Sequence, residues 1–161
     1  MIWLLIFLVL VAGISPLMMM KNSLRQRGIT HHRDIARKLS INVSLQRRPE
    51  ARDSEDRLEA VCYWRPWGVD IKVNHWVLHR YSQRGWPSAW PNWYWFQAEA
   101  GDEWLPCLQA MLNSLPTTIS AIVVDSSGVG LIWNEHGDDA TVHKINIQLE
   151  SLIKKGKEIY P

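Results

Sequence analysis

Charged side chains are missing from the start of this sequence. Residues 2–20 contain no Asp, Glu, Lys, Arg or His. A helix of this length spans about 28 Å, close to the roughly 30 Å hydrocarbon core of a bilayer. The basic n-region and small-residue cleavage site of a signal peptide are also missing, and no cysteine follows the apolar run for lipid attachment. The sequence therefore predicts an uncleaved transmembrane anchor at residues 1–20.

Acidic residues are nearly absent from the next segment, residues 21–48. This segment holds eight Lys and Arg residues but one acid, Asp34. Six of the cations follow the anchor within eighteen residues: Lys21, Arg25, Arg27, Arg33, Arg37 and Lys38. Because positive charge resists translocation, we expect an N-out, C-in topology with the domain in the cytoplasm of a bacterium. The same cations can also attract anionic lipids, by about 1 kcal/mol each, so both roles stay open.

Cysteine is scarce, and neither cysteine lies in a metal-binding motif. Cys62 and Cys107 are far apart in sequence; a reducing cytoplasm favours free thiols, and one disulfide remains the alternative. His75 and His79 are four residues apart, which on a strand separates them by about 13 Å and prevents them from sharing one ion. We therefore expect no metal and no cofactor.

No motif for a reaction is present either. The turn Asp125-Ser126-Ser127-Gly128 carries hydroxyl groups, but the chemistry of a hairpin turn explains it. From residue 49 onward the chain has ten Lys and Arg against fifteen acids. A folded part that is mildly acidic argues against a nucleic-acid partner. We name no catalytic residue, and enzymatic activity stays an open alternative.

Apolar periodicity after the anchor predicts one α+β domain. The segment THHRDIARKL, residues 30–39, reads as a short helix with Thr30 as its N-cap. Alternating patterns predict strands at residues 41–45, 58–65, 75–82 and 92–98, with a loop at 83–91. An amphipathic helix at 103–115, a hairpin of strands 119–125 and 129–134, and a last helix from Asp138 or Asp139 complete the pattern.

The order of these elements indicates the architecture. Strands that occur in runs favour a mostly antiparallel sheet with helices packed on one face. We divide the chain into the anchor at 1–20, a basic juxtamembrane helix with the first strand at 21–48, and the remainder of a single cytoplasmic α+β domain at 49–161.

Tryptophan is unusually frequent and unevenly distributed. Eight of the ten tryptophans lie between Trp64 and Trp104. The stretch from Trp86 reads WPSAWPNWYW, where proline flanks rigid aromatic rings. Aromatic and Arg side chains are common at interface hot spots and stack on ligands. The predicted interaction surface consists of Arg80, Arg84, Trp86, Trp90 and Trp93, with packing of the same tryptophans in the core as the alternative.

An apolar N-terminus, a basic collar and a small β-containing domain resemble the layout of YajC, the accessory subunit of the bacterial preprotein translocase. The likeness covers about the first 45 residues. The G-D-x-V-x-T-x-G-G signature of that family is absent, and the corresponding region reads ARKLSINVSLQRRPEARD. The chain looks more like an uncharacterised family of proteobacterial single-pass inner-membrane proteins. Neither resemblance implies a site or a mechanism.

These observations lead to two hypotheses about function. The first is a non-enzymatic module that is tethered to the inner membrane and holds a protein partner through the Trp-rich region, with the lipid bilayer as a second partner. The second is a domain that binds a small ligand, or acts on it, in a Trp-lined pocket. With the opposite topology, this domain would bind carbohydrate or cell wall in the periplasm.

Overall fold

A seven-stranded antiparallel sheet forms the centre of the computed structural model, which describes residues 24–161. The strands in chain order are β1 (Asn42–Arg47), β2 (Glu59–Pro66), β3 (Trp76–His79), β4 (Trp86–Pro87), β5 (Tyr94–Phe96), β6 (Ile119–Asp125) and β7 (Gly128–Trp133). Their order across the sheet is β1-β2-β7-β6-β3-β5-β4, and every neighbouring pair is antiparallel. The predicted antiparallel α+β class is confirmed.

Three helices pack on one face of this sheet. They are α1 (24–38), α2 (Leu105–Ser114) and α3 (Asp139–Ile159), and a short 3-10 turn, Asp102–Trp104, precedes α2. Ala36 of α1, Leu108 of α2 and Leu149 of α3 are fully buried in the same core cluster. That cluster includes Tyr63 of β2 and Leu131 of β7, so the prediction of helices on one face is also confirmed.

Local chemistry fixes the last hairpin and the last helix. Asp125 Oδ1 accepts hydrogen bonds from the backbone N–H groups of Ser127 (2.6 Å) and Gly128 (3.2 Å), which closes the β6–β7 turn. Asp138 caps α3, because its carboxylate accepts the N–H of Thr141 at 3.0 Å. A side-chain oxygen that accepts a free N–H group at a helix start stabilises it by about 1 kcal/mol. The predicted start of this helix is confirmed.

Most of the tryptophans pack in the core between the sheet and the helices. Four tryptophans are at most 1% exposed: Trp67, Trp76, Trp104 and Trp133. Trp76 meets Trp104 edge to face with ring centroids 5.4 Å apart, and it meets Trp95 in the same manner at 5.8 Å. Such pairs add about 0.5–1.5 kcal/mol beyond their buried area.

Three details differ from the sequence-based expectations. Helix α1 extends back to residue 24, so Thr30 is not its N-cap; the Thr30 hydroxyl instead donates to the carbonyl of Gln26 at 3.0 Å within the helix. Strand β3 ends at His79, and the guanidinium of the next residue, Arg80, donates to the carbonyls of Pro116 and Ile119. The expected loop at 83–91 contains the short edge strand β4, which pairs with β5.

The predicted anchor, residues 1–20, and Lys21 lie outside the described residues. Within residues 24–161, no helix combines the length and the apolarity needed to cross a bilayer.

Candidate functional site

The second face of the sheet, here called the open face, is covered by a loop instead of the three described helices. Strand register places two rows of side chains on it: Trp64, Gly130, Val123, Val77 and Phe96, then Cys62, Ile132, Ala121, His79 and Tyr94. Most of these residues are small or β-branched, which leaves space above the strands. The loop between β1 and β2, residues 48–58, crosses this face and is called the strap.

Partly exposed ion pairs hold the strap to the sheet. The carboxylate of Glu55 accepts hydrogen bonds from both Arg48 and Arg84. Arg84 also donates to the backbone carbonyl of Glu50 at 2.8 Å, and its own carbonyl lies 3.1 Å from Nε2 of His79. The hydrogen bond from Arg84 is the largest cause that holds the pKa of Glu55 below its usual range, and the backbone N–H of Arg52 and the charge of Arg48 lower it further. One network therefore joins the strap, the β3–β4 loop and strand β3.

Several polar atoms beneath the strap have no hydrogen-bond partner. They are Arg48 Nε, both carboxylate oxygens of Glu50, His79 Nδ1 and the hydroxyl of Tyr81. The Glu50 side chain is 1% exposed, and its nearest cation is Arg48 Nε at 3.5 Å. Burial lowers the pKa of His79 and raises that of Tyr81 to about 12, so both are neutral near pH 7. Unpartnered buried polar groups are costly and are often found at binding sites.

A solvent-accessible cavity of about 430 Å³ lies on the open face beside the strap. We call it the Trp64 pocket. Val123 and Ile132 form its floor, and Arg48 and Pro49 of the strap form one wall. Cavities of roughly 300–1,000 Å³ are typical of small-molecule sites.

The indole of Trp64 lies across the neighbouring strand because that strand has a glycine opposite it. A Cβ atom at Gly130 would come within 2.5 Å of Trp64 Cε3 and 2.7 Å of Cys62 Sγ. A glycine in a strand interior often marks such a close approach. Gly130 therefore lets the ring lie against the sheet, where it provides an aromatic surface to the pocket.

Gln97 lines the same pocket from a strained turn. Its φ is +70°, and the N–H of Ala98 donates to the carbonyl of Phe96 at 3.0 Å across it. This is the rarer form of the γ-turn, which is energetically unfavourable for a residue with a side chain. Strained residues of this kind cluster at ligand-binding sites.

The two arginines at the Trp64 pocket already pair with carboxylates of the strap. Arg47 pairs with Asp53, and Arg48 pairs with Glu55. One oxygen of the Asp125 carboxylate, Oδ1, accepts the hydrogen bonds of the β6–β7 turn. The groups left for a ligand include the Trp64 ring and the polar side chains of Gln46, Gln97 and His75. The arrangement suits an uncharged, polar ligand with one flat apolar face.

The five residues of the predicted interaction surface take different places. Arg80 donates to the carbonyls of Pro116 and Ile119 and covers the Trp93 ring at 4.8 Å, and Trp93 is buried. Arg84 belongs to the strap network. Trp90 packs against Trp95 and donates to Gln109 at 2.6 Å. Trp86, on edge strand β4, is 38% exposed and donates to Glu99.

The basic residues of α1 are similarly divided. Arg25 and Arg27 are exposed, and Arg37 pairs with Asp34 at 2.9 Å. Arg33 makes a two-pronged contact with the buried carboxylate of Glu135, at 2.7 and 2.8 Å. Lys38 is also exposed.

The cysteines and histidines form no metal site. Cys62 is buried on the open face, and Cys107 packs on the helical side, so both thiols are free and lie on opposite sides of the sheet. No group of three or more metal-ligating side chains converges within the part of the chain that the structure describes.

Comparisons with known proteins add no relative. No protein-family model matches the chain, and no curated protein or solved structure is significantly similar to it. The likeness in layout to YajC and to proteobacterial single-pass proteins stays a prediction.

Proposed function

We propose that this protein is a membrane-tethered, non-enzymatic binding module that holds a neutral, hydroxyl-bearing ligand of the saccharide class in the Trp64 pocket. The observation that carries the proposal is the aromatic surface of Trp64, laid against Gly130 inside a cavity of ligand size. The ring of a saccharide has a flat face of C–H groups that packs on an indole.

The polar residues of the pocket support this ligand class. Gln46 and Gln97 can each donate and accept hydrogen bonds, as hydroxyl groups require. Arg48, the less exposed of the two arginines, is already paired with Glu55. A phosphate at Arg48 would have to compete with that carboxylate, so a nucleotide fits less well.

Binding should be measured on the full chain in lipid nanodiscs, because sugar-based detergents would compete for the site. We expect saccharides from a panel of neutral mono- and disaccharides to bind, and Trp64→Ala to weaken binding at least about tenfold, equivalent to about 1.4 kcal/mol. Trp64→Phe should keep part of the affinity. Trp86→Phe, outside the pocket, is the matched control and should bind as wild type.

A second variant separates the Gln97 side chain from its backbone strain. Gln97→Gly removes the amide and tolerates the positive φ. It should weaken saccharide binding without lowering thermal stability. Binding of nucleotides instead of saccharides, or wild-type affinity in Trp64→Ala, would contradict the proposal.

A protein partner at strand β4 is the second candidate. Trp86 is exposed on an edge strand, and edge strands can pair with an added strand. Co-purification of a partner that is lost in Trp86→Ala but kept in Trp64→Ala would favour this candidate. The reverse pattern would favour the pocket.

The location is part of the same proposal. The uncharged run at residues 2–20 and the cations behind it support an inner-membrane anchor with N-out, C-in topology. A tether raises the local concentration of whatever the module binds near the membrane.

A further inference from the structure

A second cavity, of about 380 Å³, lies at the end of the sheet where β2 begins and β7 ends. Arg57 of the strap and Arg25 of α1 line it, and we call it the Arg57 pocket. Arg25 is in the first described turn of α1 and is one of the basic residues that follow the predicted anchor. If the anchor spans the membrane as proposed above, this pocket lies close to the lipid headgroups.

The two arginines are available to an anionic ligand. Neither Arg25 nor Arg57 forms an ion pair or a side-chain hydrogen bond with any residue between 24 and 161, and both are exposed. One acid, the exposed Glu59, also lines the cavity. The mouth of the cavity therefore carries a net positive charge, because two cations face one acid.

The inner wall offers an unpartnered donor, the hydroxyl of Tyr81, which lines the cavity and is buried without a hydrogen-bond partner. Arg48 lines the same wall, but it is paired with Glu55 and its Nε lies 3.5 Å from the carboxylate of Glu50. Ser120 lies beside Tyr81 but donates its own hydroxyl to the carbonyl of Ile132 at 3.2 Å. Guanidinium and phenol groups donate to the oxygens of a phosphate.

The remaining wall is apolar. Leu45, Val61 and Trp133 line it, and Leu45 is 62% exposed although it lies beside the cavity. A cavity with donors on one side and apolar groups on the other matches a phosphate ester that carries a hydrocarbon part.

We propose that the Arg57 pocket binds the phosphate headgroup of an anionic membrane lipid. The inference rests on the membrane tether of the proposed function but not on the Trp64 pocket. Free phosphate shares the headgroup chemistry, and the apolar wall together with the position beside the anchor favours the lipid.

The test is native mass spectrometry of the full chain in an amine-oxide detergent, which has neither phosphate nor sugar. The chain is titrated with phosphatidylglycerol, with zwitterionic phosphatidylcholine, and with soluble glycerol phosphate. We expect phosphatidylglycerol to bind at least about tenfold more tightly than either of the others.

Variants of equal charge show whether the site is specific. Arg25→Gln with Arg57→Gln should reduce the affinity for phosphatidylglycerol at least about tenfold. Arg27→Gln with Arg52→Gln changes exposed arginines of the same two segments outside the cavity and should bind as wild type. An equal loss in both double variants would show that general attraction to charge is responsible and would overturn the site.

Tyr81→Phe separates a role of the Tyr81 hydroxyl in lipid binding from a role in folding. Removal of an unpartnered hydroxyl should leave thermal stability unchanged or raised, yet weaken lipid binding. Glycerol phosphate that binds as tightly as the lipid would overturn the lipid assignment, as would a wild-type chain that retains no lipid. Neither result affects saccharide binding, which Trp64→Ala tests separately.

Discussion

Gly156 shows how much of the core depends on the absence of one side chain. It lies inside α3, where glycine is normally unfavourable by about 1 kcal/mol relative to alanine. A Cβ atom there would overlap the ring of Trp67 and come within 3.3 Å of Trp104. Trp67 is fixed by a hydrogen bond from Nε1 to the carbonyl of Asp125 at 2.7 Å, so its ring has little room to move.

Gly156→Ala should therefore destabilise the protein despite the gain in helix propensity. We expect the free energy of unfolding to fall by about 1–3 kcal/mol, the usual cost of overpacking a core. Urea denaturation followed by circular dichroism measures it.

Gly28→Ala is the matched control for this substitution. Gly28 lies in α1, and a Cβ atom added there meets nothing within 4 Å. The same chemical change should raise the free energy of unfolding by about 0.5–1 kcal/mol. Equal effects at the two positions would show that packing against Trp67 is not the cause.

Single residues also mark the limit of what the sequence could predict for the site. Trp64, Gly130 and Gln97 were not singled out as functional, whereas Trp86 and Trp90 were, because proline and tryptophan are conspicuous side by side. The sequence did carry one signal for the site, because Gly130 lies inside a predicted strand. A glycine there indicates a pocket only if a large side chain lies opposite it, and the residue pattern of one strand does not show that Trp64 is that partner.

At the scale of the elements, the Glu55 carboxylate joins the strap to Arg84 of the β3–β4 loop. The pKa of Glu55 is lowered by Arg84 and Arg48, so its folded-state pKa lies below the ordinary value of 4.5. A lowered carboxyl pKa contributes stability at pH values above the unfolded pKa, and this contribution is lost as pH falls through the folded pKa.

Glu55→Gln should therefore lower the urea midpoint at pH 7, and the difference from wild type should shrink below pH 4.5. Denaturation curves at pH 7 and at pH 3.5 test this. Asp53→Asn in the same strap is the control: its side chain is 88% exposed, so its pair with Arg47 should contribute little. A difference for Glu55→Gln that does not change with pH would contradict the linkage.

The predictability of an element follows from how local its causes are. Strand β2 and the β6–β7 hairpin were predicted almost to the residue, since alternation and a glycine turn act within a few positions. Strand β4 was missed, because two residues next to a proline become a strand only by pairing with β5. The extra turns of α1 were missed because Gly28 resembles a helix stop.

At the scale of the whole molecule, α1 is a rigid continuation of the domain. Arg33 joins it to Glu135 at the end of β7, and Arg65 of β2 donates to the carbonyl of Leu39 just after the helix. The Arg65 guanidinium also reaches Asn146 of α3 at 2.7 Å. These contacts hold the second half of α1 and the residue that follows it against the sheet and α3.

The orientation of that tether is the last prediction. Fusion of green fluorescent protein to the C-terminus of the full chain should give fluorescent cells, whereas fusion of alkaline phosphatase should be inactive, because the cations after residue 20 keep the domain in the cytoplasm. Changing Lys21, Arg25 and Arg27 to Gln should raise phosphatase activity by removing half of the six charges that resist translocation. Changing Lys154, Lys155 and Lys157 to Gln is the control, since these lie far along the chain from the anchor and should have no effect. An active phosphatase fusion of the unaltered chain would contradict the topology and place the saccharide site in the periplasm.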